Sequence, residues 1–244
     1  LGHGKTAKTP EDWGYFADGE SPEILIGDMN KLRTLSQEPD KPYFMLGHSM
    51  GSYLLRRYLS VYGRGLSGAV IMGTGANPDA VAKLGMAVCK AIAAFKGWKY
   101  RSPFMEKLFF SGDFQKFDMD GTHPENSWLT KDTEIVRFYY SEPRCTFKFT
   151  LKAYYDFLKT VYYVNRKENV EKIPKDLPIL MVAGDCDPVG EFGKAVKRVY
   201  EMYKAAGIND VTLKLYENDR HEILNETDKE RVFDDIFNWC ESRQ

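Results

Sequence analysis

At 244 residues the chain is long enough for one large domain or two small ones. Hydrophobic residues make up 43% and charged residues 28%, which excludes a disordered chain and leaves material for a sizeable core. The 34 Lys and Arg against 35 Asp and Glu leave a formal net charge of −1, so no basic field points to nucleic acid or to an anionic membrane.

Cys89, Cys145, Cys186 and Cys240 lie far apart with no C-x-x-C, and they read as reduced thiols of an intracellular protein, not as a disulfide framework or a zinc site. No apolar run reaches the roughly 18 residues that a membrane span needs, and no signal-peptide pattern is present. A cytoplasmic location is expected, with at most transient contact with a membrane surface. The chain opens in mid-motif on "LGHGKT", without an initiator methionine, which leaves a targeting signal untested.

The first predicted element is a helix over "SPEILIGDMNKLRTLS", residues 21–36, with Ser21 as N-cap, Pro22 at N1 and Leu25, Met29, Leu32 and Leu35 on one face. "PYFMLG" then reads as a short strand, apolar and so buried on both faces. A helix follows Ser49 and runs through Tyr53 to Tyr62, ended by Gly63 and Gly65, before the strand "LSGAVIMGTG". From 76 to 176 strand signals vanish. Helical stretches such as "AVAKLGMAVCKAIAAFKGW" and "TLKAYYDFLKTVYYVNRKENV" alternate there with loops rich in Gly, Pro, Asp and Ser. Strand grammar resumes with "LPILMVAGD", then the helix "FGKAVKRVYEMYKAAG", the strand "DVTLKLYEN" and the terminal amphipathic helix "ETDKERVFDDIFNWCESR". Strands alternating with helices and buried on both sides predict an α/β protein with a mostly parallel sheet flanked by helices. Its core is expected from residues 1–75 and 177–244, interrupted by a helical cap over 76–176 that is too long for an ordinary loop.

Gly47-His48-Ser49-Met50-Gly51 fits G-x-S-x-G at a strand-to-helix junction. A nucleophile there must sit on a tight, strained turn, and the flanking glycines are expected to leave room for the neighbouring strand and helix. The helix after Ser49 aims its N-terminal N–H groups at the reacting carbonyl. An acid and then a histidine should follow in chain order. Asp185 and Asp187 stand just past "LPILMVAG", and His221 lies in the loop after the next strand, all at one edge of the sheet. Asp187, further into the loop, is better placed than Asp185 to reach an imidazole, whereas Asp185 suits a turn-shaping role.

These residues resemble the α/β-hydrolases, specifically the monoacylglycerol lipase and lysophospholipase branch, often described as serine-aminopeptidase-like. The matching stretches are "LGHGKT", "GHSMGS", "GDCDPVG" and "ENDRHEILNE", together with the terminal "FDDIFNWCESR" and a helical cap between two core strands. The resemblance implies Ser49 as nucleophile, His221 as general base, Asp187 as its orienting acid and the Met50 N–H as one oxyanion donor. Leu1 stands where family members usually have Arg. It also implies about 50 further residues of strands and an oxyanion loop ahead of the "GHG" turn, on ordinary strand and loop lengths. The 244 residues are therefore expected to be part of a longer polypeptide, with the second oxyanion donor upstream of residue 1.

The expected chemistry is cleavage of carboxylic esters, of the monoacylglycerol or lysophospholipid type, with a small acyl ester or lipid as substrate, no nucleic-acid partner and no cofactor or metal. His3, His48 and His123 show no ligand spacing and suit packing or turn roles. "GHGKT" ends like a phosphate-binding loop, but the "GHG" turn already accounts for it. The aromatics of the cap are expected mainly to form its own core, with Phe104, Phe109, Phe110, Phe138 and Tyr139 as candidates to line an acyl pocket. An aminopeptidase is the first alternative and needs an acid near the cap to hold a free amine, for which Glu134, Glu142 and Asp156 are candidates. A non-catalytic binding protein on the same fold is the second.

Overall fold

A computed structural model describes residues 1–38 and 40–243. Among them, four strands form one parallel sheet in the order β1 (Phe44–His48), β2 (Gly68–Met72), β3 (Ile179–Gly184) and β4 (Val211–Tyr216). The register sets Phe44 opposite Gly68, Ala69 opposite Ile179, and Ile179 opposite Val211. The helices are α1 (Ser21–Ser36), α2 (Met50–Tyr62), α3 (Asp79–Lys96), α4 (Pro103–Phe109), α5 (Thr133–Ser141), α6 (Pro143–Thr146), α7 (Leu151–Val164), α8 (Lys167–Val170), α9 (Lys194–Ala205) and α10 (Lys229–Glu241).

β2 and β3 are buried at every position, as their unbroken apolar runs require in the middle of a parallel sheet. Successive side chains point to opposite faces. Ala69, Ile71, Ile179, Met181 and Ala183 therefore pack with Leu55, Tyr58 and Leu59 of α2 and Val196, Val199 and Tyr203 of α9. Val70, Met72, Leu180 and Val182 pack with Val232 and Trp239 of α10. β1 departs from expectation: it is only partly buried, Leu46 is 47% exposed, and among the described residues its paired neighbour is β2 alone.

α1 occupies the predicted residues but buries a different side. Leu32 and Leu35 are exposed, and Ser21, Pro22, Ile26 and Arg33 face inward. Met29 of the predicted face still packs against the core, and beside it the Arg33 guanidinium donates to the Tyr58 hydroxyl at 3.3 Å and to the carbonyls of Tyr62 and Arg64 at 2.9 Å each. The last carbonyls of a helix lack intrahelical donors, so this buried arginine closes the end of α2.

Between β2 and β3 lie α3 to α8 and, among the described residues, no strand beyond the single bridge Asp118–Ser127. Ala82, Cys89, Met105, Leu151, Tyr154 and Leu158 give this stretch its own apolar cluster. The helix predicted over 150–170 is two helices, with Asn165 and Arg166 between α7 and α8. Asn165 caps the end of α7, and its side chain takes an Arg56 N–H at 2.9 Å and donates to the Asn77 carbonyl at 3.0 Å. α7 lies against α2, where Tyr53, Val161 and Val164 share a small cluster.

Candidate active site

The turn from β1 into α2 is made by one residue. Ser49 has φ 53° and ψ −123°, a conformation that side-chain-bearing residues adopt only when the surroundings enforce it, at a cost of about 1–3 kcal/mol. The enforcing bonds are local. The Ser49 N–H donates to the Met72 carbonyl at 3.0 Å, and the Ser49 carbonyl accepts from the N–H and the hydroxyl of Ser52 at 2.8 and 2.6 Å. Gly47 is required by close approach, since a Cβ there would lie 2.4 Å from the Gly51 carbonyl oxygen and 2.9 Å from Leu55 Cβ. Gly51 is not required in that way, contrary to expectation: a Cβ on it would meet nothing within 4 Å. Met50 is the first residue of α2, so its N–H is among the helix's unsatisfied N-terminal donors, at the positive end of the dipole.

The loops after β3 and β4 supply the acid and the imidazole. Asp185 accepts the Asn218 N–H at 2.8 Å and so joins the two loops. Asp187 is fully buried; one carboxylate oxygen accepts the Val189 N–H at 2.8 Å and the other stands 3.0 Å from His221 Nδ1. A carboxylate can only accept, so Nδ1 carries a proton, and in the neutral ring the lone pair is then on Nε2. That Nε2 is buried and, among the described residues, has no hydrogen-bond partner, so the Ser49 hydroxyl is not bonded to it in this structure.

Two rings pack on the His221 imidazole: that of His48 at 4.6 Å between centroids, and the indole of Trp128 at 5.0 Å. His48 Nε2 lies 3.0 Å from the His221 carbonyl oxygen and donates to it. Burial lowers the His48 pKa from 6.5 to about 4, and the neighbouring His221 pushes in the same direction. His48 is thus a neutral donor that fixes the position of the loop.

Trp128 belongs to a segment between β2 and β3 that is bonded along its length to the His221 loop. The Trp128 and Leu129 carbonyls accept the N–H groups of His221 and Glu222 at 3.3 and 2.7 Å. The buried carboxylate of Glu226 accepts from Thr130 Oγ1, the Lys131 N–H and the Arg220 N–H at 3.1, 3.0 and 2.8 Å. Lys131 Nζ reaches Asp219 at 2.7 Å. Burial opposes the lysine's charge, but the hydrogen bond to Asp219 and the nearby Glu226 and Asp228 outweigh it and raise its pKa.

The remaining candidates are dispersed. Phe109 packs against Tyr154 and Phe157 inside the cluster of α3, α4 and α7. Phe110 touches Trp128 at 6.0 Å, Tyr139 stacks edge-on to Tyr140, and Phe104 and Phe138 are exposed. Each of the three acids considered for binding an amine already holds a cation: Glu134 pairs with Arg137, Glu142 with Arg144, and Asp156 with Lys152 at 2.6 Å. His3 packs among Phe16, Phe147 and Phe149, while His123 is exposed beside Glu125. Gly4–Thr6 form one 3₁₀ turn, not a strand-to-helix loop. Among the described residues no cluster of three or more His, Cys, Asp or Glu is placed to hold a metal, and no helix is long and apolar enough to cross a membrane.

A strained serine on a β1–α2 elbow, with a histidine and an acid from later loops of the same sheet edge, can be compared with known proteins. The family model described as serine aminopeptidase, S33, matches residues 1–228. The chain belongs to this family. Its fold is the α/β-hydrolase fold. A carboxyl esterase from Bacillus coagulans, solved in complex with glycerol, is similar at a TM-score of 0.87 and 31% identity over 99% of this chain and 78% of that one. A monoglyceride lipase variant from Saccharomyces cerevisiae, solved with a substrate analogue, shares the fold at a TM-score of 0.74 and 21% identity, covering 100% of this chain and 75% of that one. A monoacylglycerol lipase of Mycolicibacterium smegmatis is 26% identical over 211 residues, which are 85% of this chain and 65% of the relative. The chain thus spans just under two thirds of that relative's length.

The structure sets Ser49 at the elbow and pairs Asp187 with His221, as expected of their positions in the sequence, and adds two neighbours that the sequence did not suggest, Trp128 against the imidazole and Glu226 against the Trp128 segment. Glu226 ends the matching stretch "ENDRHEILNE" but nothing in that stretch gives it a partner, and the long loop carrying Trp128 has no periodicity. Only the apolar pair "WL" flanked by polar residues set it apart from its surroundings.

Proposed function

We propose that this chain carries the catalytic centre of a serine hydrolase that cleaves carboxylic esters of the monoacylglycerol or lysophospholipid type. The observation that carries the reading is the buried Nε2 of His221, left without a partner while Asp187 holds the opposite nitrogen. A buried nitrogen lone pair without a hydrogen bond is costly unless a function uses it. In the proposed reaction substrate binding brings the Ser49 hydroxyl into its reach, as catalytic hydrogen bonds tighten in the substrate complex. Nε2 then takes the serine proton as Oγ attacks the ester carbonyl, and the Met50 N–H receives the developing oxyanion. The imidazolium, paired with Asp187, gives its proton to the departing alcohol, and water releases the acid from the acyl-enzyme.

The ester preference is supported by the family relatives, which include a carboxyl esterase and monoacylglycerol lipases. It is supported further by the engagement of Glu134, Glu142 and Asp156 with cations, which leaves none of the three to bind a free amine. A fluorophosphonate probe should label Ser49 stoichiometrically, and Ser49→Ala should lower hydrolysis of a p-nitrophenyl acyl ester by at least about 10⁴-fold. Full activity in Ser49→Ala would refute the mechanism. Faster turnover of aminoacyl arylamides than of acyl esters would reassign the substrate.

A further inference from the structure

We infer that Trp128 is a positioning residue for His221, an inference that rests on the serine-hydrolase reading. The residue acts on the imidazole in two ways at once. Its carbonyl accepts the His221 N–H at 3.3 Å, which fixes the backbone, and its indole lies 5.0 Å from the imidazole centroid with the planes tilted by 30°. Asp187 bonds to one nitrogen only, so the ring remains free to swing about that bond unless a flat surface bears on its face. The indole is such a surface. Its electron-rich face also favours the imidazolium that forms when the serine proton is taken. His48, the other ring in contact, is neutral and adds no opposing charge.

Trp128 is itself rigid. It is 9% exposed and backed by Phe114 at 5.3 Å and Phe110 at 6.0 Å. Its segment is pinned on both sides: the Arg220 guanidinium donates to the Ser127 and Glu125 carbonyls, and Glu226 accepts from Thr130 and Lys131. The general base is thereby held by the stretch between β2 and β3 as well as by the sheet loops.

The test compares Trp128→Leu, which keeps apolar bulk but loses the flat face, with Trp128→Phe, which keeps an aromatic face. Rates on a short p-nitrophenyl ester are expressed per site titrated with the fluorophosphonate, so that misfolded protein does not count. Trp128→Leu should lower kcat about tenfold with KM changed less than twofold, and Trp128→Phe should recover most of the loss. Wild-type kcat in Trp128→Leu, a loss confined to KM, or equal losses in both variants would overturn the inference. If Trp128→Leu yields no folded protein, Thr130→Val decides: it loosens the segment without touching either ring and should lower kcat about threefold, and an unchanged kcat would overturn the inference. Absence of wild-type labelling at Ser49 is a different result, since it would remove the hydrolase reading and this inference with it.

Discussion

Ser49 and His48 are adjacent, yet each is shaped by a different force. Ser49 is held at positive φ by hydrogen bonds to Met72 and Ser52, whereas His48 is set by burial. The depressed pKa of His48 makes a prediction about stability. The unfolded chain takes up a proton on this residue near pH 6.5, whereas the folded protein resists doing so until about pH 4. The contribution is complete above pH 6.5 and declines as pH falls toward 4, by at most about 1.4 kcal/mol per pH unit. Urea midpoints measured between pH 7 and 4.5 should fall less steeply in His48→Phe than in the wild type. Parallel slopes would show that the ring is not held neutral.

At the scale of the element, the junction of β1 and α2 is where motif and geometry part. G-x-S-x-G reads as symmetric about the serine, but the helix axis makes it asymmetric. Gly47 faces the first turn of α2 at contact distance, and the side-chain position of Gly51 faces open space. Gly47→Ala should therefore destabilise the protein by more than about 3 kcal/mol through forced overlap with backbone. Gly51→Ala should be neutral or stabilise by up to about 1 kcal/mol through helix propensity. Thermal melts of both variants check this, and equal losses would contradict it. α1 carries a similar lesson. Leu25, Met29, Leu32 and Leu35 share a helical face in sequence, but only Leu25 and Met29 are partly covered, and the last turn instead buries Arg33, which donates to carbonyls at the end of α2.

For the whole molecule, the central question is whether the stretch between β2 and β3 behaves as a separate body. It has its own apolar cluster, but Arg56 ties it to the sheet core. This arginine, 1% exposed, donates to Thr74 Oγ1, the Gly75 and Val164 carbonyls, and Asn165 Oδ1, joining α2, the loop after β2 and the end of α7. Arg56→Leu would leave buried carbonyls without donors, each costing about 1–3 kcal/mol. Denaturant titration should show a single transition in the wild type, coincident by far-UV and near-UV circular dichroism. In Arg56→Leu the midpoint should drop by an amount equivalent to about 2–5 kcal/mol. Two separated transitions in the wild type would show that the stretch unfolds on its own.

What the amino-acid sequence determined by itself is whatever depends on local pattern: the α/β alternation, the buried runs of β2 and β3, the limits of α1, and the elbow serine. Asp187 and His221 belong in part to that set, because the loops that bear them follow strands whose apolar runs were plain. Tertiary structure alone decided the inward face of α1, the placing of Trp128 beside His221 and that of Glu226 against the segment that carries Trp128. Each of these rests on contacts between residues far apart in the chain, as with Trp128 and His221, and periodicity carries no information about such pairs.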